Sequence, residues 1–423
     1  MGYFCYKNFI SWKKCEYKQF GGIAMKKYIF SLTLIVTLMF TTVTIPIQAE
    51  ENNNETTEQE KDNGLNLAEN SKSALLLERD TGKILYEKNA HEQLPPASMT
   101  KIMTLIIIME ALDDQKIKLD EKVRVSEHAA SMGGSQIFLE TGEEMTVHDL
   151  LKGIAVASGN DASVALAERI AGSEEAFVKM MNNKAKELGL ENTRFQNPTG
   201  LPADNHYSTA YDMGLMAKEL LKHKKITEYT GIYDDYLRKG TEDEFWLVNT
   251  NKLVKHYDGV DGLKTGYTSE AKYCLTATAK KDNMRTIAVV MGSETTKKRN
   301  SDVTQMLDYA FSQFSTKQLF ESGQAVSKFN MMKASNNNVD IVTGESVSVV
   351  FEKGQKLKGI ETTIKVNKDI ELPLTKGDVV GKLEVSKDGD TLSETPLIIS
   401  EDVGKASMWQ LFKRSMAKMV KSE

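Results

Sequence analysis

Pro95-Pro96-Ala97-Ser98-Met99-Thr100-Lys101 runs directly into Ile102-Met103-Thr104-Leu105-Ile106-Ile107-Ile108-Met109-Glu110-Ala111-Leu112. The two prolines stop the preceding chain, and the apolar run reads as a helix. It is apolar nearly all round, so it is buried rather than amphipathic. It is also too short to span a bilayer. A helix of this kind needs a shell of other elements around it, so the fold is built about residues 101–112. At its start, Ser98 and Lys101 stand three residues apart and share a helix face. A serine hydroxyl is a poor nucleophile without an adjacent base. A lysine can be that base if desolvation and a second cation lower its pKa, and the apolar helix supplies the desolvation. The bland alternative for Ser98 is a helix cap.

Two further stretches join it. Ser158-Gly159-Asn160 lies between two helical segments, where the bland reading is a helix end with Gly159 in the left-handed position. Lys264-Thr265-Gly266 opens a strand, and alone it reads as a solvated strand entry. Each signal is weak by itself. Their order along one folded block makes the set far more specific than any member.

The surroundings supply the architecture. Ala74–Glu78 and Lys83–Tyr86 flank Asp80-Thr81-Gly82 as a hairpin. Helical signals dominate to about residue 225, with Thr146-Val147-His148-Asp149 as a capping signal, Asp161 as the cap of a helix over 162–171, and an amphipathic helix over 211–221. Strand signals return at 259–293, where Leu275–Ala279 and Thr286–Met291 are separated by a polar turn. A helix over 301–313 closes the block. Strands on either side of a helical middle predict an antiparallel sheet flanked by helices, with a helical insert, within 67–317. From 318 to 399 short β-like runs and the Asp388-Gly389 turn predict a small all-β domain.

The 423-residue chain has ordinary globular composition and a formal charge of −5. Residues 1–49 carry six lysines and one glutamate, +5, leaving a body near −10. Such a body has no basic face for nucleic acid. Met25-Lys26-Lys27, the uncharged run 28–45 and Ile47-Gln48-Ala49 predict an export signal with its cleavage site and Met25 as the start of translation; a retained membrane anchor is the alternative. Residues 50–66 are too polar to bury a core and predict a flexible spacer. Of three cysteines only Cys274 lies beyond the leader, so a disulfide or a cysteine-based metal site is not expected. In residues 403–423 apolar Met408, Leu411, Phe412 and Met419 recur at helical spacing, with Trp409, Met416 and Val420 beside them, and Lys405, Lys413, Arg414, Lys418 and Lys421 populate the other face. This predicts an interfacial helix on an anionic membrane surface, with docking on the β domain as the alternative.

Together with Asn197-Pro198-Thr199-Gly200-Leu201, His206-Tyr207-Ser208-Thr209-Ala210 and Gly259–Gly266, these motifs resemble the serine-type D-alanyl-D-alanine carboxypeptidases, the low-molecular-mass penicillin-binding proteins. The resemblance spans about 67–400 and is strongest to the sporulation-associated members of Gram-positive spore formers. It implies an α/β (α+β) penicillin-binding/β-lactamase-like transpeptidase domain, a small all-β domain and a membrane-seeking tail. It implies removal of the terminal D-alanine from peptidoglycan stem peptides, acylation by β-lactams, and no cofactor or metal. Carried over by residue, Ser98 attacks, Lys101 takes its proton, and Ser158 and Asn160 bridge to the leaving nitrogen and substrate backbone. Lys264 supplies positive charge, Thr265 and Gly266 complete its motif, and the Ser98 and Tyr267 N–H groups form the oxyanion hole. Arg299 grips the terminal carboxylate, its bland alternative being a solvated basic run with Lys297 and Lys298. Some relatives have His where this chain has Tyr267, which leaves a side-chain role there in doubt. The competing readings are a β-lactamase, disfavoured by the absence of a Glu-x-x-Leu-Asn motif between Ser158 and Lys264, an endopeptidase on crosslinked peptides, and a non-catalytic peptidoglycan-binding protein.

Overall fold

The computed structural model describes residues 64–336, 338–355, 357–367 and 369–420. The expected leader and export signal, and nearly all of the spacer, lie outside the described residues. An antiparallel five-stranded sheet carries the first part of the fold, in the spatial order Ile84–Lys88, Ser73–Glu78, Met284–Ser293, Lys272–Lys281, Val260–Thr268. Its strands alternate between two separate cores. Leu75, Leu77, Ile287 and Val289 enter one; Ala74, Leu76, Ala288 and Val290 enter the other. Period-2 alternation with both faces apolar is what a sheet covered on both sides requires.

The Lys101–Asp113 helix is the axis of the larger core, with residues 101–109 all buried. Around it pack the helices Asn160–Ala171, Glu174–Glu187 and Ala210–Leu220. The opposite sheet face is covered by Thr296–Gln313, through Val303, Met306, Leu307 and Ala310. This helix begins five residues earlier than its pattern suggested, because Thr295 caps it by accepting from Lys298 N. Arg299 therefore sits in a first helical turn and not in a loose basic run. The expected hairpin forms around Gly82, and Thr146 caps the Val147–Ala157 helix through Asp149 N at 3.1 Å.

Two local readings are corrected. The left-handed residue ending the Val147–Ala157 helix is Ser158, φ 65°, while Gly159 is at φ −55°. Asp161 is not a cap, since the helix already starts at Asn160. Its buried carboxylate accepts from the Ile137, Leu139 and Ala162 N–H groups at 2.9–3.1 Å and pins the segment 137–139 to the helix.

The Thr296–Gln313 helix passes directly into Phe314–Phe320, which pairs with Val347–Glu352. A second sheet runs Ala325–Phe329, Val339–Thr343, Asp390–Ile399, Val379–Lys387, Ile360–Val366. Its long hairpin turns at Asp388 and Gly389, both at positive φ, as the Asp-Gly pair predicted. This β region is held to the sheet domain by Ser348 donating to Asp80 (2.9 Å) and by Glu345 paired with Lys222 (3.1 Å). Among the described residues no helix is long and apolar enough to cross a membrane. The tail helix is Met408–Val420. Val403 and Lys405 precede it as bridges to Leu374 and Ala334, so they belong to the β region.

Candidate active site

Residues 97–100 form a tight turn that feeds the buried helix and sets Ser98 at its mouth. One turn on, Lys101 is wholly buried, with its Nζ 3.1 Å from Ser98 Oγ. The same Nζ donates to Asn160 Oδ1 at 2.6 Å and to the Thr199 carbonyl at 2.7 Å. Asn160 is oriented for this because its Nδ2 donates to Gly133 O at 2.6 Å. Burial holds the Lys101 ammonium well below its usual pKa, and the charge of Lys264 adds to the effect against an opposing pull from Asp161. The helix thus does what its composition promised.

The Thr199 carbonyl comes from the segment Asn197–Leu201, which sequence reasoning noted only as a resemblance. Asn197 Oδ1 accepts from Thr199 N, Thr199 Oγ1 and Gly200 N, folding the chain into a tight loop. Gly200, at φ 81°, lies so close to the Ala97 carbonyl that a Cβ there would fall 1.8 Å from its oxygen. Only glycine lets this loop reach the nucleophile turn. On the other side, a Cβ on Gly266 would fall 2.7 Å from Pro96 O and 3.2 Å from Ala97 Cβ. The third residue of Lys264-Thr265-Gly266 is therefore a spacing element that brings this strand against the Ser98 turn.

Lys264 is also buried, its Nζ donating to Thr265 O at 3.0 Å. Burial, then the nearby Arg299 charge, lowers its pKa to about 7. Thr265 Oγ1 donates to Thr250 Oγ1 at 2.8 Å. Arg299 is 3% exposed, against the solvated alternative, and burial brings its pKa down to about 10. It is bound by the Asn300 side chain, and among the described residues it has no carboxylate partner. Lys101, Lys264 and Arg299 are thus a line of buried basic groups, in which the charge of Lys264 lowers the Lys101 pKa and that of Arg299 lowers the Lys264 pKa. Ser158 Oγ is buried without a hydrogen-bond partner among the described residues. Tyr267 is the exception, its ring 56% exposed and tilted on Tyr273. Thr100 Oγ1 meets His206 Nε2 at 2.8 Å, while His206 Nδ1 accepts from Gln196 N. Burial lowers the His206 pKa to about 4, so the ring is a neutral brace. Cys274 is a buried strand thiol, its pKa raised by burial to about 11.

The structure therefore brings Ser98, Lys101, Asn160 and the Lys264 strand together as the motif order required. Comparison with known proteins agrees. The sequence pattern of the D-alanyl-D-alanine carboxypeptidase family (peptidase S11) matches residues 54–295, and that of the penicillin-binding protein 5 C-terminal domain matches residues 314–405. The chain belongs to the D-alanyl-D-alanine carboxypeptidase family. The D-alanyl-D-alanine carboxypeptidase DacF of Bacillus subtilis is 56% identical over 92% of this chain and 98% of its own length. The family fold is equally plain. Penicillin-binding protein 5 of Haemophilus influenzae superposes with a TM-score of 0.62 at 33% identity, covering 79% of this chain and 98% of its own. Penicillin-binding protein D2 of Listeria monocytogenes, solved in an ampicillin-bound form, gives 0.53 at 32% identity over 58% of this chain and all of its own.

Proposed function

We propose that this chain is a D-alanyl-D-alanine carboxypeptidase acting through a Ser98 acyl-enzyme. The observation that carries the mechanism is the hydrogen-bonding of Lys101. A neutral lysine amine has two N–H bonds and one lone pair. Asn160 Oδ1 and the Thr199 carbonyl are acceptors only, so they take the two N–H bonds. The lone pair is left for the Ser98 hydroxyl, 3.1 Å away. Ser98 Oγ attacks the carbonyl between the two D-alanines as its proton passes to Lys101. The tetrahedral intermediate expels the amine of the last D-alanine, which takes up a proton delivered through Ser158. Water then cleaves the ester, restores Ser98 and frees the shortened stem. The Ser98 and Tyr267 N–H groups stabilise the oxyanion. Lys264 and Arg299 hold the terminal carboxylate, which favours a free C-terminus over a crosslinked one and so favours carboxypeptidase over endopeptidase action. A β-lactam acylates the same serine. Ser98→Ala is expected to abolish both D-alanine release and the mass increase on incubation with penicillin; a covalent adduct at another residue would overturn the assignment.

Residues 67–317 are the proposed catalytic domain and 318–399 the β domain that carries it. Export through the 28–45 segment suits a peptidoglycan substrate outside the cytoplasm. The tail is the proposed contact with the outer face of the cytoplasmic membrane. In support, Met408, Trp409, Phe412 and Met416 are solvent-exposed, while Arg414 on another face donates to the Met332, Ala334 and Ser335 carbonyls. The helix thus docks through Arg414, with Leu411 half-buried, and leaves Met408, Trp409, Phe412 and Met416 outward. A role in sporulation is proposed on the sequence resemblance alone.

A further inference from the structure

Asn160 serves Lys101 in only one orientation. Its Nδ2 donates to Gly133 O at 2.6 Å and its backbone N–H to Ser135 O at 2.7 Å, which leaves Oδ1 for Lys101. Turned about, the amide would offer an N–H to the Lys101 lone pair and take it away from Ser98. Packing here is close, since a Cβ on Gly134 would fall 2.7 Å from Asn160 Nδ2. Yet residues 132–140 belong to no helix or strand, so their position depends on other contacts. From one side the Asp161 carboxylate takes the Ile137 and Leu139 N–H groups. From another part of the fold, Arg238 Nη1 donates to Ile137 O and Nη2 to Phe138 O, each at 3.1 Å. Phe138, held between the two charges, lies at φ 56°. That value is strained for a bulky residue, and such strain persists only where neighbours over-determine it.

Arg238 is itself fixed at both ends. Its Nε and Nη2 fork onto the two oxygens of Glu143, and its side chain is 12% exposed. Burial acts to raise the Glu143 pKa, but the bonds from Arg238 and the Glu140 N–H hold it below its usual value. Arg238 follows the first strand of a hairpin, Asp234–Leu237 with Phe245–Val248. Lys152, on the helix that ends at Ser158, anchors this hairpin by donating to Asp235 at 2.9 Å and to Tyr236 O at 3.1 Å. Resting on the reading of Lys101 as the base for Ser98, we infer that Arg238 is a positioning residue for acylation. Through the Ile137 and Phe138 carbonyls it holds residues 133–139 against Asn160, and so keeps the Lys101 lone pair on Ser98. None of its hydrogen bonds reaches Ser98, Lys101 or Asn160. The planar fork of a guanidinium spans the carboxylate and both carbonyls at once, which the point charge of a lysine does not.

A double-mutant cycle tests this, read as the rate of acylation of the full chain by labelled penicillin at a temperature where circular dichroism shows each variant native. Arg238→Met is expected to slow acylation about 10- to 100-fold, the cost of misplacing a reacting group by up to about an ångström. In an Asn160→Ala background the same substitution is expected to change the rate by less than about twofold, because its effect is transmitted through that amide. Arg238→Lys keeps the charge without the fork, and its rate is expected to fall between wild type and Arg238→Met. If Arg238→Met does not fold, Arg238→Lys takes its place in the cycle. A Met variant within about threefold of wild type overturns the inference, since the segment is then held without Arg238. An equal fold-loss in both backgrounds also overturns it, because the effect is then a general loosening and not a hold on Asn160. Failure of the underlying reading looks different: penicillin would still acylate Ser98→Ala, and the inference would fall with that reading whatever the cycle gave.

Discussion

Lys101 and Lys264 are both buried without a carboxylate in ion-pair reach among the described residues, an arrangement that costs stability and serves chemistry. With Lys101 as the proposed base, acylation needs it neutral, so the rate should rise with pH through a limb placed well below the ordinary lysine range. Lys101→Ala should lower acylation by several orders of magnitude and leave the fold intact, as stopped-flow acylation and circular dichroism would show; a rate within tenfold of wild type would reject Lys101 as the base. Lys264 gives a stability prediction. Its pKa is about 7 folded and 10.5 in the unfolded chain, so between these values the unfolded state holds more protons. Stability from this group is fully present above 10.5 and is lost as pH falls through 7. Lys264→Met should therefore raise Tm most at pH 6, by about 2–4 °C for each ~1 kcal/mol relieved, with the gain shrinking toward pH 10. Activity should be lost throughout. Scanning calorimetry across pH decides it, and a lower Tm at pH 6 would contradict the burial cost.

At the scale of elements, the site is a convergence of three backbones on the Ser98 turn, and two glycines set the spacing. Gly266→Ala places a methyl 2.7 Å from Pro96 O and 3.3 Å from Met99 Cγ. The strand carrying Lys264 must then draw back. Acylation is expected to fall about 10- to 100-fold with little change in Tm, since misplacement by a fraction of an ångström to an ångström suffices. Unchanged acylation would show that the turn yields instead. Neither glycine announced this role, because close approach between residues 103 apart (Gly200 and Ala97) and 170 apart (Gly266 and Pro96) leaves no local pattern. The Asp161 carboxylate is similar. Its place in the first turn read as a cap, but besides the adjacent Ala162 N–H it binds the Ile137 and Leu139 N–H groups more than twenty residues earlier.

Across the whole molecule, the β region connects a buried active site to a tail with an outward apolar stripe. Because Val403 is buried and pairs with Leu374, a truncation that removes 403–406 would damage the β sheet. Removing 407–423 keeps it. The shortened, processed enzyme is expected to leave the membrane fraction while retaining penicillin acylation within about twofold. Each basic residue near anionic lipid contributes roughly 1 kcal/mol, and the apolar stripe adds to this. Fractionation and N-terminal sequencing separate the outcomes. A truncated protein that stays bound with residues 28–45 attached would point to a retained anchor.

The sequence by itself determined the kind of fold and the chemistry. An all-apolar helix opened by Ser98 and Lys101, alternating strands on both sides of a helical middle, and three ordered motifs were each local signals, and the helix and strand periodicities state which faces are buried. Tertiary structure decided the rest. It made Ser158, and not Gly159, the left-handed residue, assigned Asp161 to a distant loop, and brought the Thr199 carbonyl to Lys101. It buried Arg299 although two lysines precede it, and it turned the tail's Arg414 inward and its aromatic residues outward. In each case the deciding partner lies far away along the chain. Burial and hydrogen-bond satisfaction are properties of packed neighbours, and periodicity reports only the face on which a residue stands.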